Sequence, residues 1–93
     1  MLAGKFAIVT GSGRGIGRAA AVALARNGAA VALASRTARE LDETVAAIER
    51  EGGRALAVPT DASDAHAVQR LVAHTVEAFG TVDILANCAG WRP

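Results

Sequence analysis

Four short apolar runs alternate with three helix-length segments, and this alternation constrains the fold of the 93-residue chain more than any other feature. The runs are predicted to form strands at Lys5–Thr10, Ala30–Ser35, Arg54–Pro59 and Val82–Asn87. Near-continuous apolar strands that alternate with helices are typical of parallel sheets joined by right-handed crossovers. The pattern therefore predicts an α/β fold, β-α-β-α-β-α-β, that is the amino-terminal half of a doubly wound sheet with strand order 3-2-1-4.

The three intervening segments are predicted to be amphipathic helices that end at glycines. The first runs from about Gly15 to Asn27, the second opens with the capping-box pattern of Thr37 to Glu40 and stops at Gly52, and the third runs from about Asp64 to Phe79. The apolar stripe predicted for the first helix consists of Ile16, Ala20, Ala23 and Leu24. The stripe predicted for the third consists of Val68, Leu71, Val72, Val76 and Phe79.

Composition narrows the classes of function. Ninety-three residues make at most one domain, spanning 1–93, and this is short for a complete enzyme of this architecture. The net charge of +1 with mixed acids and bases gives no basic stripe, so we expect no nucleic-acid partner. Cys88 is the only cysteine, no cluster has metal-ligand spacing, and no signal peptide or membrane span is apparent. These features predict a cytoplasmic protein without a metal site.

The stretch TGSGRGIG, Thr10 to Gly17, places glycines directly between the first strand and the first helix. Free backbone N–H groups and the positive end of the helix dipole converge there, so a phosphate is the expected ligand. The spacing is neither that of a P-loop nor GxGxxG, and it fits TGxxxGxG, which suits a pyrophosphate. An ordinary glycine-rich turn is the alternative interpretation.

Three further positions lie where a dinucleotide needs them. Ser35 and Arg36 end the second strand where NAD-selective folds carry a ribose-binding acid, and with Arg14 they predict a 2′-phosphate and hence NADP(H) in preference to NAD(H). The alternative is that both arginines are solvated surface charges. Asp61 follows the third strand, where its carboxylate either accepts a hydrogen bond from adenine or only caps the next helix. Asn87-Cys88-Ala89-Gly90 ends the fourth strand at the ligand-binding edge.

Together these motifs resemble the short-chain dehydrogenase/reductase family, in its classical type with a Rossmann-type sheet, over the whole chain. The resemblance implies cofactor contacts along the glycine turn, at the ends of strands two and three, and at the end of strand four. The predicted cofactor-binding residues are Gly11, Ser12, Gly13, Arg14, Gly15, Ile16, Gly17, Ser35, Arg36, Asp61, Ala62, Asn87, Cys88, Ala89 and Gly90. Cys88 departs from the family, which usually has a second Asn there.

The same resemblance implies an oxidoreductase that moves a hydride between nicotinamide and a small carbonyl or alcohol substrate, similar to 3-oxoacyl-thioester reductases or alcohol dehydrogenases. The family's catalytic Ser and Tyr-x-x-x-Lys come after strand four, and this chain has no Tyr, so no catalytic residue is assigned. A non-catalytic dinucleotide-binding module and an S-adenosylmethionine-dependent methyltransferase are the alternatives. We expect the intact protein to be a homo-oligomer, and the 93 residues alone to be inactive and poorly stable or self-associating through strand four.

Overall fold

The computed structural model describes residues 2–11, 15–61 and 63–87, with Asn87 described by its main chain. Within these ranges every predicted element is present, and its ends differ from the prediction by a residue or two. The strands are β1 (Phe6–Thr10), β2 (Ala30–Ser35), β3 (Ala55–Pro59) and β4 (Ile84–Asn87). The helices are α1 (Gly15–Arg26), α2 (Ala38–Arg50) and α3 (Ala65–Phe79). No helix in the described part of the chain is long and apolar enough to cross a membrane.

The strands form one parallel sheet in the order β3-β2-β1-β4, which confirms the predicted fold class and strand order. The register aligns Ile8 of β1 with Ala32 of β2 on one side and with Leu85 of β4 on the other. Because all strands run in the same direction, their carboxyl ends meet at one edge of the sheet. This edge is where open α/β sheets bind ligands.

Side chains on the two faces of the sheet form two separate cores. On one face, Val9 and Leu33 pack with Leu41 and Ile48 of α2 in the larger cluster. On the other face, Ile8, Ala32 and Ala34 pack with Leu71 of α3. Burial on both faces explains why β1 and β2 are continuously apolar in sequence rather than alternating.

The predicted stripe of α1 is wrong in part. Ile16 is 72% exposed and Ala23 is exposed, whereas Gly17 and Ala21 are the buried residues of the helix. Small residues at the contact line allow the helix axis to approach the sheet closely, so the larger apolar side chains lie beside this line. Ala20 and Leu24 are partly buried and pack against the core as expected.

The predicted stripe of α3 is shifted for the same reason. The buried line consists of Ala67, Leu71 and Thr75, and Val72 and Val76 are each 43% exposed. Thr75 is accommodated in the core because its hydroxyl donates a hydrogen bond to the carbonyl of Leu71 at 2.8 Å. Leu71 and Phe79 therefore pack against the core as predicted, whereas Val72 and Val76 do not mark the packed face of this helix.

The capping box predicted for α2 does not form. Thr37 is the N-cap residue, but its side chain makes no capping hydrogen bond. Its backbone N–H instead donates to the hydroxyl of Ser35 at 3.1 Å, which turns the chain as it leaves β2. By contrast, α3 is capped by Asp64, whose carboxylate accepts from the N–H groups of His66 and Ala67.

Candidate cofactor site

The carboxyl edge of the sheet brings together the predicted site residues that the structure describes. Gly11 follows β1, Arg36 follows β2, Asp61 lies just beyond β3, and Asn87 is the last residue of β4. Thr10 of β1 is in register with Asn87 of β4 on one side and with Ala34 of β2 on the other. The carboxyl ends of these three strands are therefore adjacent. Residues separated by up to about eighty positions in sequence thus line one crevice because the strands are parallel.

Two glycines of the predicted turn, on either side of residues 12–14, use the backbone freedom of glycine. Gly11 and Gly15 have φ angles of 68° and 62°, in the left-handed region that L-residues with side chains rarely adopt. A Cβ built on Gly15 meets no atom of the described residues within 4 Å, so none of them fills the space in front of Gly15 at the start of α1. Gly17 is buried, as expected for a glycine that packs the helix on the strand. The open space at the helix N-terminus suits an anion.

The end of β2 carries a hydroxyl and a cation where an NAD-selective site would carry a carboxylate. Ser35 is partly buried and Arg36 is exposed. The Ser35 hydroxyl accepts the N–H of Thr37, so its acceptor lone pair is engaged and its own proton remains as a donor. A donor hydroxyl beside a guanidinium is suited to a phosphate oxygen.

The carboxylate at the end of β3 is held in its ionised form. Oδ1 of Asp61 accepts hydrogen bonds from the Ser63 hydroxyl at 2.7 Å and from the Ser63 N–H at 3.0 Å. These two bonds lower the pKa of Asp61 below its ordinary value, with a smaller contribution from the charge of Arg36. Asp61 therefore orders the turn before α3, although Asp64 rather than Asp61 is the N-cap residue, and the contact of Asp61 with adenine stays a prediction.

Thr60 was not singled out from the sequence, but it aligns the ends of two strands. It is 6% exposed, its N–H donates to the Ser35 carbonyl at 2.7 Å, and its hydroxyl donates to the Val58 carbonyl at 2.8 Å. These bonds fix Asp61 relative to Ser35. The only signal in the sequence is the position of a threonine between Pro59 and Asp61, which is too common to identify such a role.

Other predicted residues lie elsewhere or outside the described ranges. His66 and His74 are exposed on α3; His66 lies in the first turn of the helix, shortly after Asp61, and His74 lies two turns further along. No group of residues in ranges 2–11, 15–61 and 63–87 could hold a metal ion. Ser12, Gly13, Arg14, Ala62, Cys88, Ala89 and Gly90 lie outside the described residues, so their predicted contacts stay predictions.

Comparison with known proteins agrees with the geometry. Residues 5–93 match the family model described as short chain dehydrogenase. The chain is 51% identical over 84 residues to the short-chain reductase protein NovJ of Streptomyces niveus, covering 90% of this chain and 32% of that protein. It is 47% identical over 100 residues to an L-rhamnose 1-dehydrogenase (NAD(P)(+)) of Azotobacter vinelandii, covering 100% of this chain and 38% of that protein. The chain thus spans about a third of the length of these relatives.

A shorter relative is also similar. The short-chain dehydrogenase/reductase homolog YusS of Bacillus subtilis is 48% identical over 86 residues, which are 91% of this chain and 79% of that protein.

Solved structures give the same result at the level of the fold. A dehydrogenase/reductase from Sinorhizobium meliloti 1021 superposes with a TM-score of 0.93 at 51% identity, covering 96% of this chain and 36% of that one. A metagenomic short-chain oxidoreductase in complex with NADP superposes with a TM-score of 0.86 at 36% identity, covering 90% of this chain and 38% of that one. With the glycine turn, the strand order and the residues at the carboxyl edge, these matches show that the chain belongs to the short-chain dehydrogenase/reductase family of NAD(P)-binding oxidoreductases.

Proposed function

We propose that this chain is the dinucleotide-binding part of an oxidoreductase that uses NADP(H) in preference to NAD(H). The observation that carries the proposal is the end of β2, where Ser35 and Arg36 replace a ribose-binding acid. A carboxylate there would accept both hydroxyls of an adenosine ribose and repel a 2′-phosphate, whereas a guanidinium attracts the phosphate. The described residues of the crevice fit a dinucleotide of this kind.

Each described part of the site has a separate role in this proposal. The open space at Gly15 and the start of α1 receives the pyrophosphate, whose charge is stabilised by backbone N–H groups. The Ser35 hydroxyl donates to the 2′-phosphate and Arg36 neutralises it. Asp61 accepts the adenine amino group through Oδ2, because both of its hydrogen bonds to Ser63 end on Oδ1.

The proximity of Arg36 and Asp61 bears on specificity. The charge of Arg36 contributes to the lowered pKa of Asp61, so the two side chains are near each other across the ends of β2 and β3. A bound 2′-phosphate competes with Asp61 for the guanidinium, while adenine recognition by Asp61 is common to both cofactors. Changes at Arg36 therefore act on NADP(H) alone, and changes at Asp61 act on both cofactors.

The bound cofactor would supply the hydride, and this chain supplies its position. In an intact protein we propose that the hydride passes between nicotinamide and a small carbonyl or alcohol substrate. The relatives, which include an L-rhamnose 1-dehydrogenase and a short-chain oxidoreductase in complex with NADP, support a redox reaction of this class. They favour it over a non-catalytic module and over a methyltransferase. A 3-oxoacyl-thioester or a simple alcohol remains our proposed substrate type.

Replacement of Arg36 tests the proposal. Arg36→Ala should weaken NADPH binding by ~1.5–3 kcal/mol, the scale of a charge-assisted contact, which is roughly 10- to 150-fold in Kd, and should leave NADH binding nearly unchanged. Arg50→Ala is the matched control, because Arg50 is an exposed arginine at the other end of α2. Calorimetric titration of both cofactors gives the answer. An equal loss for NADPH and NADH in Arg36→Ala would remove the 2′-phosphate assignment.

A further inference from the structure

The two oxygen atoms of the Asp61 carboxylate differ in their hydrogen bonds. Oδ1 accepts both bonds from Ser63, and within the described ranges no residue donates to Oδ2. We propose that Ser63 is a positioning residue for base recognition, because it occupies Oδ1 and leaves only Oδ2 to contact the base of a bound dinucleotide. The proposal rests on the adenine contact proposed above for Asp61, and it adds the residue that orients this contact.

Two donors of one residue meet on a single oxygen atom. The Ser63 hydroxyl oxygen lies 2.7 Å from Oδ1 of Asp61, and the Ser63 backbone nitrogen lies 3.0 Å from it. Bonds of this kind to an ionised acceptor are stronger than neutral hydrogen bonds, and two of them restrict the rotation of the carboxylate. The same bonds are the largest causes of the lowered pKa of Asp61, so the group is ionised at neutral pH and Oδ2 can only accept.

The turn that carries Asp61 is anchored on both sides. Before it, the N–H of Thr60 donates to the Ser35 carbonyl at 2.7 Å and holds the end of β3 against β2. After it, the N–H of Asp64 donates to the Asp61 carbonyl at 3.0 Å, and the Asp64 carboxylate caps α3. Main chain and side chain of Asp61 are both held, so the position of Oδ2 relative to the end of β2 is set before a ligand binds. Such preorganisation reduces the entropy lost on binding.

The hydrogen bonds on Oδ1 determine which bases fit. An acceptor at Oδ2 suits adenine, whose exocyclic amino group is a donor, and it repels hypoxanthine, which has a carbonyl oxygen on the same ring carbon. A carboxylate that rotates freely would have the same preference, because its two oxygen atoms are equivalent. The role of Ser63 therefore becomes visible when the carboxylate is replaced by a group whose two ends differ.

Asp61→Asn makes this replacement. The two donors of Ser63 require the amide oxygen at the position of Oδ1, so the amide NH2 group takes the position of Oδ2. A donor at that position meets the amino group of adenine unfavourably and suits the carbonyl oxygen of hypoxanthine. Without orientation by Ser63, the amide would turn round and present its oxygen to adenine. An oriented amide therefore reverses the preference between the two bases, and a freely rotating amide does not.

Calorimetric titration with NADH and with its counterpart that carries hypoxanthine in place of adenine tests the proposal. The unmodified chain should bind NADH more tightly by roughly tenfold or more, the scale of a hydrogen bond to a charged group. Asp61→Asn should reverse this order and bind the hypoxanthine dinucleotide roughly 2- to 10-fold more tightly than NADH, the scale of a neutral hydrogen bond. Asp61→Ala gives the ratio without a side-chain contact, and so corrects for other differences between the bases. Asp42→Asn, at an exposed position of α2, should behave like the unmodified chain.

Changes at Ser63 in the Asp61→Asn variant test the positioning role itself. Ser63→Ala leaves only the backbone N–H on the amide oxygen and should lower the preference for hypoxanthine by about twofold or more, the scale of one neutral hydrogen bond. Ser63→Thr keeps a hydroxyl and should retain the preference. NMR spectra give a second readout, since the side-chain amide introduced by Asp61→Asn should shift more with the hypoxanthine dinucleotide than with NADH.

The possible outcomes separate this proposal from the preference for NADP(H). An Asp61→Asn variant that binds NADH as tightly as the hypoxanthine dinucleotide, or more tightly, would overturn the proposal, as would a Ser63→Ala substitution that leaves the ratio in this variant unchanged. Equal affinities of the unmodified chain for the two dinucleotides would remove the adenine contact of Asp61 and this proposal with it. Both dinucleotides lack a 2′-phosphate, so none of these results depends on cofactor preference, which the comparison of NADPH with NADH tests separately.

Discussion

Substitution of Gly15 separates the ligand-binding role of the glycine turn from its backbone strain. Gly15 has a φ of 62°, and among the described residues no atom lies within 4 Å of a Cβ at this position. Gly15→Val should therefore cost stability through the left-handed backbone, about 1–2 kcal/mol, rather than through a clash with these residues. In a domain of this size that loss lowers Tm by roughly 4–16 °C. Dinucleotide binding should be abolished, because the side chain occupies the space proposed for the pyrophosphate.

Gly52→Val is the matched control for this experiment. Gly52 also has a positive φ, 83°, and an added Cβ there also meets nothing within 4 Å, but the residue follows α2 at the opposite edge of the sheet. It should lose similar stability and keep its affinity for the cofactor. The assays are urea or thermal unfolding and titration with NADPH at low temperature. A Gly15→Val chain that melts lower but binds NADPH as well as Gly52→Val does would refute the assignment of this turn.

Three further predictions concern protonation, packing and activity. Ser63→Ala should raise the pKa of Asp61 toward its ordinary value, because the hydrogen bond from the Ser63 hydroxyl is the largest cause of the lowered pKa. NMR titration of the Asp61 carboxyl group measures this, and an unchanged pKa in the variant would contradict the prediction. Since the folded pKa is lowered, the contribution of Asp61 to stability is complete above its unfolded pKa and is lost as pH falls through the folded value. Leu71→Ala should lower the free energy of unfolding by about 2–5 kcal/mol, measured by denaturant unfolding. Val72→Ala, on the same helix but 43% exposed, should lower it much less. Equal losses for the two variants would contradict the observed packed line of α3. The 93-residue chain should not oxidise NADPH with any of a panel of carbonyl substrates, and measurable turnover would overturn the assignment of catalysis to residues outside it.

The strands could be predicted because a strand that is buried on both faces of the sheet is an uninterrupted apolar run in the sequence. Ala7, Ile8 and Val9 are all at most 1% exposed, and a run of this kind is read directly as a central parallel strand. The strand order 3-2-1-4 is the one expected of the amino-terminal half of a doubly wound sheet, which the alternation of strands and helices predicts. For the same reason the sequence could place the ends of β1 and β2 at one edge.

The packed faces of α1 and α3 could not be predicted equally well. Apolar periodicity favours large side chains such as Ile16 and Val76, whereas the buried lines of α1 and α3 include small residues such as Gly17 and Ala67. Small residues carry little hydrophobic signal, and their burial depends on how closely the helix approaches.

The candidate site was predicted in position but not in its hydrogen bonds. Ser35 and Asp61 were identified as ligand contacts, and the structure gives each a local partner as well, Thr37 and Ser63 respectively. The bonds of Thr60 to the ends of two strands depend on the register of β2 and β3, which a single sequence does not specify. Local polar contacts at loop ends are therefore the part of the site that required the structure.

The ratio of the dissociation constants for NADPH and NADH is the most direct test of the central claim. Both cofactors share adenine and pyrophosphate, so the ratio isolates the 2′-phosphate and hence the combined role predicted for Arg14, Ser35 and Arg36. We predict that the chain binds both and binds NADPH more tightly, by roughly tenfold or more, as one charge-assisted contact requires. Equal affinities, or tighter binding of NADH, would contradict the account.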